Sequence, residues 1–365
     1  MASSRPRRPS TWPDLPSDLL GGVLCGLPSL ADRIRLRAVC RSWRSPMLHQ
    51  SPPQLPWLAF RDGTLLDVSN NTAHHVRLSD DGTSCYCAGE NMLFLLHGDG
   101  HCSLMNTFSS DVTPLPELAT RLKGCDVKST DIMKVVVSSA PQIVAVLFRS
   151  TYGSGVLASI CRPDGKIQSC QVLRTDRYIG KICDIVIFRG KIHAITGDDC
   201  KLLGLQLHND EKRPRFSRRI LCASDLPPRP STDIYEVERY LVESNSKLLM
   251  VRRWISGVWY SEFANWAREL SVVEADLSSG QWNKVDGLEG QALFVSRQCS
   301  KSVPAASSGA RQDCIYFLDE YGLGDSGTYS MGERKITPLL PEKPATPLLS
   351  NRPPACPAWF FPVEV

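Results

Sequence analysis

The chain has 365 residues, of which 42% are hydrophobic and 22% charged, and its formal net charge is only +4. This composition is typical of a folded globular protein and argues against general disorder. The length is sufficient for more than one domain. The small, scattered positive charge does not favour nucleic-acid binding, which needs a clustered basic surface.

The first eleven residues, MASSRPRRPST, are basic and rich in serine but contain no apolar run. We therefore expect residues 1–11 to be a disordered tail and not a signal peptide. No apolar stretch approaches the roughly 20 residues that span a bilayer, so no membrane association is expected. These features favour the cytoplasm, the nucleus or both.

The 14 cysteines are spread singly along the chain, with only Cys85 and Cys87 close together. On a strand this spacing places both thiols on one face, and no second pair lies nearby to complete a zinc site. We interpret the cysteines as buried, reduced thiols. Neither a metal nor a cofactor is predicted.

Residues 12–48 have the periodicity of helices. Ser17 is a good N-cap residue, and apolar residues recur at helical spacing from Leu19 to Leu27, where Gly26 and Pro28 end the first helix. Two further apolar groups follow, separated by arginines. The segment is too small to be stable alone, yet has more apolar residues than one face needs. It either caps the domain behind it or leaves a second face for foreign helices.

The residue order closely resembles an F-box. The match includes Leu15-Pro16-x-Asp18-Leu19-Leu20, the second Leu-Pro pair at Leu27, and the ending Val39-Cys40-Arg41-Ser42-Trp43. The resemblance implies three helices over residues 12–50 that insert into the Skp-type adaptor of a cullin-RING ubiquitin ligase. It implies that the residues in contact with the adaptor, or supporting that contact, are Leu15, Pro16, Leu19, Leu24, Leu27, Ile34, Val39, Cys40 and Trp43. A departure is Gly21-Gly22 within the first helix, which weakens the free helix by roughly 1–2 kcal/mol relative to alanine.

After about residue 55, short apolar runs alternate with turn residues, which is typical of an all-β sandwich, barrel or propeller. The predicted strands are Trp57–Phe60, Leu65–Val68, Met92–Leu96, Ser103–Asn106, Lys134–Val137, Ile143–Phe148, Val156–Cys161, Ile185–Phe188, Ile192–Thr196, Leu202–Leu207, Lys247–Arg252, Leu270–Ala275 and Cys314–Leu318. A loose strand-turn-strand repeat starts at Asp184 and again at Leu248. We predict a degenerate, kelch-like β-propeller over residues 51–365. Two stacked sandwiches remain an alternative.

Several segments of this region look like the plant F-box-associated, KIB-type β-propeller domain. They are Tyr240–Ser244, Leu248–Arg253, Ala275–Trp282, Ala292–Val295, Cys314–Asp319 and the ending Pro353–Pro362. The resemblance implies a propeller and a plant source, but it does not name a target.

Three motifs in the sequence resemble cofactor, metal or nucleic-acid sites, but their sequence context predicts none of these functions. Gly322–Gly327 spells a dinucleotide fingerprint, but no helical pattern follows it, so a loop between strands is expected. His97 and His101 are expected to flank a hairpin turn, because glycines lie between them. The densest basic run, Lys212–Arg219, is interpreted as a solvated loop.

Five aromatic residues form a candidate substrate-facing cluster: Trp254, Trp259, Tyr260, Phe263 and Trp266. Trp259, Phe263 and Trp266 have i, i+4, i+7 spacing, compatible with one helical stripe in an insertion between strands. Such aromatics are good interface anchors, although packing onto the propeller is the more common role of aromatic residues.

These observations predict a non-catalytic substrate receptor that docks an adaptor, and through it a cullin-RING scaffold, and holds an unidentified protein target on the propeller. The first alternative is a propeller scaffold outside ubiquitination that sequesters a partner. A second alternative is a propeller enzyme or glycan binder, which requires a central pocket with converging acids, aromatics or a metal.

Overall fold

A computed structural model describes residues 15–27, 36, 39–40, 43, 55–69, 72–76, 78, 82–107, 109–128, 131–139, 142–150, 153–161, 167–174, 180–197, 199–208, 215–222, 236–256, 266–319, 326–339 and 357–362. Three helices lie in this part of the chain: α1 (Ser17–Cys25), α2 (Pro116–Gly124) and α3 (Ala305–Ser308). The predicted second and third F-box helices fall largely outside the described residues.

The described strands form six sheets, which we number as blades in chain order. Blade 1 contains β1 (Trp57–Ala59), β2 (Thr64–Asp67), β3 (Thr72–His75) and β25 (Ala358–Phe360). Blade 2 contains β4 (Ser84–Gly89), β5 (Met92–Leu96), β6 (Cys102–Asn106) and β7 (Val112–Pro114). Blade 3 contains β8 (Ile132–Ser139), β9 (Gln142–Ser150), β10 (Gly153–Cys161) and β11 (Ile167–Arg174).

Blade 4 contains β12 (Ile182–Phe188), β13 (Lys191–Thr196), β14 (Leu202–His208) and β15 (Arg215–Cys222). Blade 5 contains β16 (Glu236–Ser244), β17 (Lys247–Ser256), β18 (Trp266–Asp276) and β19 (Gln281–Val285). Blade 6 contains β20 (Gln291–Val295), β21 (Lys301–Pro304), β22 (Cys314–Phe317), β23 (Gly327–Ser330) and β24 (Lys335–Pro338). The molecule is therefore a six-bladed β-propeller, and the sandwich alternative is wrong.

Each blade packs both of its faces against its neighbours. Along β9, Val144 and Val146 join the apolar cluster shared with blade 2, whereas Ala145 and Leu147 join the cluster shared with blade 4. Four further clusters fill the remaining interfaces of the ring in the same way. Because both faces are buried, the strands are continuous apolar runs, without the alternation of a sheet that faces water on one side.

The ring closes by combining the two ends of the propeller in blade 1. The C-terminal strand β25 pairs antiparallel with β1, with Leu58 opposite Trp359, and forms the inner edge of this blade. Trp359 is buried, and its indole Nε1 donates a hydrogen bond to the carbonyl oxygen of Val295 in blade 6, 3.1 Å away. Blade 1 is thus held on one side by a strand from the far end of the chain.

Tight turns join consecutive antiparallel strands within the blades. Asn245 and Ser246 join β16 to β17 with positive φ angles of 48° and 61°, and Arg189 and Gly190 join β12 to β13 with φ angles of 50° and 68°. Two consecutive positive φ values are the signature of the type I′ turn, which matches the twist of the flanking strands. The turn at Arg189-Gly190 lies between the predicted strands Ile185–Phe188 and Ile192–Thr196.

All thirteen predicted strands overlap strands of the structure. Helix α2 was missed, and its buried side chains Leu118, Ala119 and Leu122 pack between blades 2 and 3. It was missed because it is only nine residues long and lies in a region dominated by strand patterns. Part of the basic run was also assigned wrongly, because residues 215–219 belong to β15 and not to a loop.

Candidate functional site

The N-terminal segment has a small core of its own. Leu20 of α1 and Trp43 are buried, with 1% and 7% of their surfaces exposed, and they belong to one cluster. Leu15, Leu36 and Cys40 pack against this pair and are partly buried. A core of this size provides little stability by itself, so the segment depends on further contacts.

Other apolar side chains of the same segment face solvent. Leu19 is 59% exposed, Val23 45% and Val39 62%. They are three of the five large hydrophobic residues that are exposed in the described part of the chain, and the other two, Val112 and Leu277, are far apart on the propeller strands and turns. Three exposed apolar residues within one short segment make this segment a candidate contact surface for another protein. We call Leu19, Val23 and Val39 the docking surface.

The predicted adaptor-contacting residues divide into several groups. Leu19 and Val39 lie on the docking surface and Pro16 is also exposed. Trp43 lies in the small core, and Leu15, Leu27 and Cys40 are half-buried. The side chain of Leu24 and all of Ile34 lie outside the described residues. Val23 was not among the candidates, although its i+4 spacing from Leu19 on a helix was a signal that could have identified it.

The propeller has a cavity of about 640 Å³ on its axis. All six blades contribute to it, through the inner strands β4, β8, β12 and β16, the start of β21 and Phe361 just after β25. Two lysines line the cavity and both are paired: the Lys134 amine lies 2.7 Å from Asp184, and the Lys301 amine contacts Glu90. The charged groups of these two pairs therefore neutralise each other within the fold.

A second buried charge connects blades 5 and 6. Arg253 is fully buried, and its guanidinium donates hydrogen bonds of 2.9 Å to Glu238 and to Asp319. The guanidinium also lies over the ring of Phe317, 4.7 Å from its centroid, and the Tyr240 hydroxyl donates to Glu238. These acids have a structural partner, so we assign the group to holding two blades together.

Of the five aromatic candidates, Trp254 is the one whose side-chain position the structure describes. Trp254 is only 3% exposed and lies under the guanidinium of Arg252, 4.9 Å from the ring centroid. Trp259, Tyr260 and Phe263 lie outside the described residues. Trp266 begins strand β18 opposite Ser256, so the predicted helical stripe is wrong at this residue. Strand β17 ends at Ser256 and β18 begins at Trp266, and whether the residues between them form a substrate-facing surface stays a prediction.

The motifs that resemble catalytic or metal sites are structural. Gly327 is the first residue of strand β23, so the dinucleotide fingerprint leads into a strand and not into a phosphate-binding helix. His97 and His101 flank a hairpin turn, as predicted, with the His97 N–H donating to the His101 carbonyl oxygen. No group of three potential metal ligands occurs among the described residues.

The predicted cysteine face is present. Cys85 and Cys87 of β4 both join the apolar cluster between blades 1 and 2, whereas Tyr86 faces blade 3. Burial raises the pKa of Cys85 to about 12 and raises that of Cys87 as well. Thiols in such surroundings are poor nucleophiles and poor metal ligands, because the thiolate is the reactive form.

No helix of the described chain is long and apolar enough to cross a membrane.

A helical motif that exposes apolar side chains, followed by a six-bladed propeller, is the organisation of an F-box protein. The family model described as F-box domain matches residues 12–45, which include the docking surface and its supporting core. The resemblance of this segment to an F-box is thereby confirmed.

The family model described as KIB1-4 beta-propeller matches residues 65–332. The chain belongs to this family, and the predicted KIB-type propeller is confirmed. It is also 24% identical, over 336 residues, to the F-box/kelch-repeat protein At1g57790 of Arabidopsis thaliana, covering 88% of this chain and 87% of that protein.

Solved structures resemble the chain only weakly. The N-terminal domain of Nup159 has a TM-score of 0.31 at 11% identity, covering 75% of this chain and 69% of that one. The PQQ-bound aldose sugar dehydrogenase of Streptomyces coelicolor has a TM-score of 0.33 at 12% identity, covering 85% and 86%. At these TM-scores the similarity supports no inference about this chain.

Proposed function

We propose that this protein is the substrate-recognition subunit of a Skp–cullin–F-box ubiquitin ligase. Residues 12–50 bind the Skp-type adaptor, and the propeller region, residues 51–365, holds a protein target. The observation that carries the proposal is the docking surface: Leu19, Val23 and Val39 are exposed within the segment matched as an F-box.

The docking surface is well suited to insertion between foreign helices. Leu19 and Val23 are one helical turn apart on α1, so they lie on the same side of the helix. Leu20, their neighbour in sequence, turns inward to Trp43 and fixes the helix on its own small core. Burying the exposed apolar area against a partner provides the stabilisation that this small segment lacks.

The protein forms no covalent bond itself in this proposal. The cullin-RING scaffold carries the ubiquitin-conjugating enzyme, and the receptor raises the effective concentration of target lysines beside it. The complex works in the cytoplasm, the nucleus or both, where such ligases act.

The test is co-purification of the full-length protein with a plant Skp-type adaptor. We compare wild type with Leu19→Asp/Val39→Asp, and use Leu277→Asp/Val112→Asp as the matched control, because these residues are exposed on the propeller. Wild type and control should capture the adaptor, and the docking-surface variant should not.

Two results would contradict the proposal. Equal capture by the docking-surface variant would show that these residues are not the contact. A folded wild-type protein that captures no adaptor would exclude the ligase function and favour a free-standing scaffold that sequesters a partner.

A further inference from the structure

Among the described strands, the outer edge of blade 5 is paired over only part of its length. Its third strand, β18, has eleven residues, but the fourth strand, β19, pairs only with residues 272–276 of it. Of the strands that the structure describes, none pairs with residues 266–271 on this side. In blade 4, by contrast, all seven residues of the third strand β14 lie within the stretch paired with β15.

The uncovered edge presents main-chain groups that can hydrogen-bond. Alternate residues of a strand direct their N–H and C=O groups to the same side, so part of residues 266–271 points away from β17. A free strand edge of this kind is a template for another extended segment. The opposite side of these residues is occupied, since Trp266 lies opposite Ser256 and Leu270 opposite Arg253.

A cleft of about 580 Å³ lies where the rest of the fourth strand would run. It is lined by side chains from both faces of blade 5, as expected around a strand edge. On one face Arg252 donates to the Ser271 hydroxyl at 3.1 Å, beside Trp254. On the other face lie Leu270 and Val272. The end of β19 and the turn after β23 close the cleft.

We propose that this edge binds an extended segment of the target protein, which completes blade 5 as its fourth strand. The proposal rests on the proposed function in calling the segment a target. Main-chain hydrogen bonds to residues 266–271 provide affinity, and side chains on alternate faces provide specificity. The uncovered edge corresponds to about six residues of a strand, or roughly 20 Å.

The two faces of the cleft define the chemistry of the segment. Side chains that point toward blade 6 meet Leu270, Val272, Tyr329 and Met331, and are therefore apolar. The charged residues that line the cleft are the cations Arg252, Lys284 and Arg334 and the acids Glu269 and Asp286. Among the described lining residues, Glu269 offsets Arg252 and Asp286 pairs with Lys284, so the cation in excess is Arg334, in the turn after β23 of blade 6. We therefore expect one acidic side chain in the segment, next to Arg334.

A glycine on the rim allows the cleft to be blocked selectively. Gly332 lines the cleft, and a Cβ added there meets no atom within 4 Å. Gly332→Trp therefore places a large side chain at the rim of the cleft, at a position where its Cβ meets no atom. Gly124, at the end of α2, has the same open surroundings away from the cleft, so Gly124→Trp is the matched control.

The experiment selects short random peptides, displayed on phage, on the full-length protein and measures the affinity of the selected peptides. We expect apolar positions together with one acidic position, a loss in affinity of about tenfold or more in Gly332→Trp, and no loss in Gly124→Trp. Arg334→Glu should weaken binding more than Lys335→Glu does, because Lys335 does not line the cleft. Peptide binding should slow hydrogen exchange at the amides of residues 266–271 that point away from β17.

Equal peptide affinity in Gly332→Trp, failure to select any peptide, or unchanged exchange at residues 266–271 would overturn the proposal. Protection of these amides before any peptide is added would also overturn it, because another segment or a second copy of the chain would then cover the edge. Adaptor capture is measured in parallel with Gly332→Trp. If the wild-type protein captures no adaptor, this result counts against the ligase function and not against peptide binding at blade 5.

Discussion

The ammonium group of Lys134 lies 2.7 Å from the carboxylate of Asp184, and both side chains are almost completely buried. Asp184 also accepts hydrogen bonds from the N–H groups of Ile185, at 2.8 Å, and Leu241, at 2.7 Å. These partners lie on the inner strands of blades 3, 4 and 5. Burial raises the pKa of this carboxyl group, while Lys134 and the two N–H groups oppose the rise. One carboxylate thus joins three consecutive blades.

Asp184→Ala should strongly destabilise the propeller. It leaves a buried ammonium ion unpaired and two N–H groups without an acceptor, which together cost about 3–5 kcal/mol of the free energy of unfolding. Urea denaturation of the purified protein measures this loss. The double variant Lys134→Met/Asp184→Asn should lose less than Asp184→Ala, because no unpaired charge remains. A loss below about 1 kcal/mol for Asp184→Ala would show that the pair does not join the blades.

The second prediction concerns the stability that ring closure by β25 provides. Trp359 of β25 is 2% exposed and packs edge-on against Phe294 of blade 6, with 4.9 Å between the ring centroids. Trp359→Ala removes this packing and the hydrogen bond to Val295, and should cost about 3–5 kcal/mol of unfolding free energy. Removal of residues 357–365 should prevent stable folding, because blade 1 then lacks its inner strand.

The control for ring closure removes only residues 363–365, which follow Phe361 and Pro362, and should leave the unfolding midpoint unchanged. If removing residues 357–365 left the midpoint in urea unchanged too, β25 would not be the strand that closes the ring.

Much of the fold could be predicted from the sequence, because each strand is a local apolar run with turn residues at its ends. The number of blades could not, because blade 1 uses β25 from the far end of the chain and blade 6 contains the parallel pair β20 and β22. Neither pairing leaves a local pattern. The buried partners Lys134 and Asp184 are 50 residues apart, and no spacing rule links them.

The docking surface was predictable in part, because the F-box motif identified Leu19 and Val39. Of the Leu-Leu pair, the resemblance singled out Leu19, which is exposed, and not Leu20, which is buried. The cleft of blade 5 could not be predicted. It exists because β19 ends at Val285 while β18 extends to Trp266 on the other side, which is a property of strand pairing.

The next prediction concerns a buried histidine of blade 4 and the pH dependence of the free energy of unfolding. His193 is 4% exposed, and its Nδ1 lies 3.1 Å from the carbonyl oxygen of Lys191, which can only accept a hydrogen bond. Burial lowers the pKa of His193 below its usual value of 6.5. Between the lowered pKa and about 6.5 the unfolded chain binds more protons than the folded one, so the free energy of unfolding rises with pH.

His193→Phe should therefore reduce the slope of unfolding free energy against pH between about pH 5 and 7, where one such histidine contributes at most about 1.4 kcal/mol per pH unit. Urea denaturation at several pH values measures the slope. The control is Ile192→Val in the same strand, a buried substitution without a titratable group, which should lower stability without changing the slope. A slope unaffected by His193→Phe would show that this histidine is not the origin of the pH dependence.

The last prediction concerns Gly22 of α1 and the stability of this helix. Gly22 is exposed within the helix, and a Cβ added there meets no atom within 4 Å. Gly22→Ala should stabilise α1 by about 0.5–1 kcal/mol, because alanine loses less conformational freedom than glycine on forming a helix. If the adaptor binds the ordered helix, its affinity should rise by about two- to fivefold.

Calorimetric titration of the purified adaptor into the full-length protein measures this change. Gly124→Ala, at the end of α2 in the propeller, should leave the affinity unchanged, since it is outside the docking segment. A lower affinity in Gly22→Ala would place this side of α1 in close contact with the adaptor, where no additional methyl group fits. Since Gly22 lies three residues after Leu19 and is its neighbour on the helix surface, such a result would extend the docking surface to Gly22.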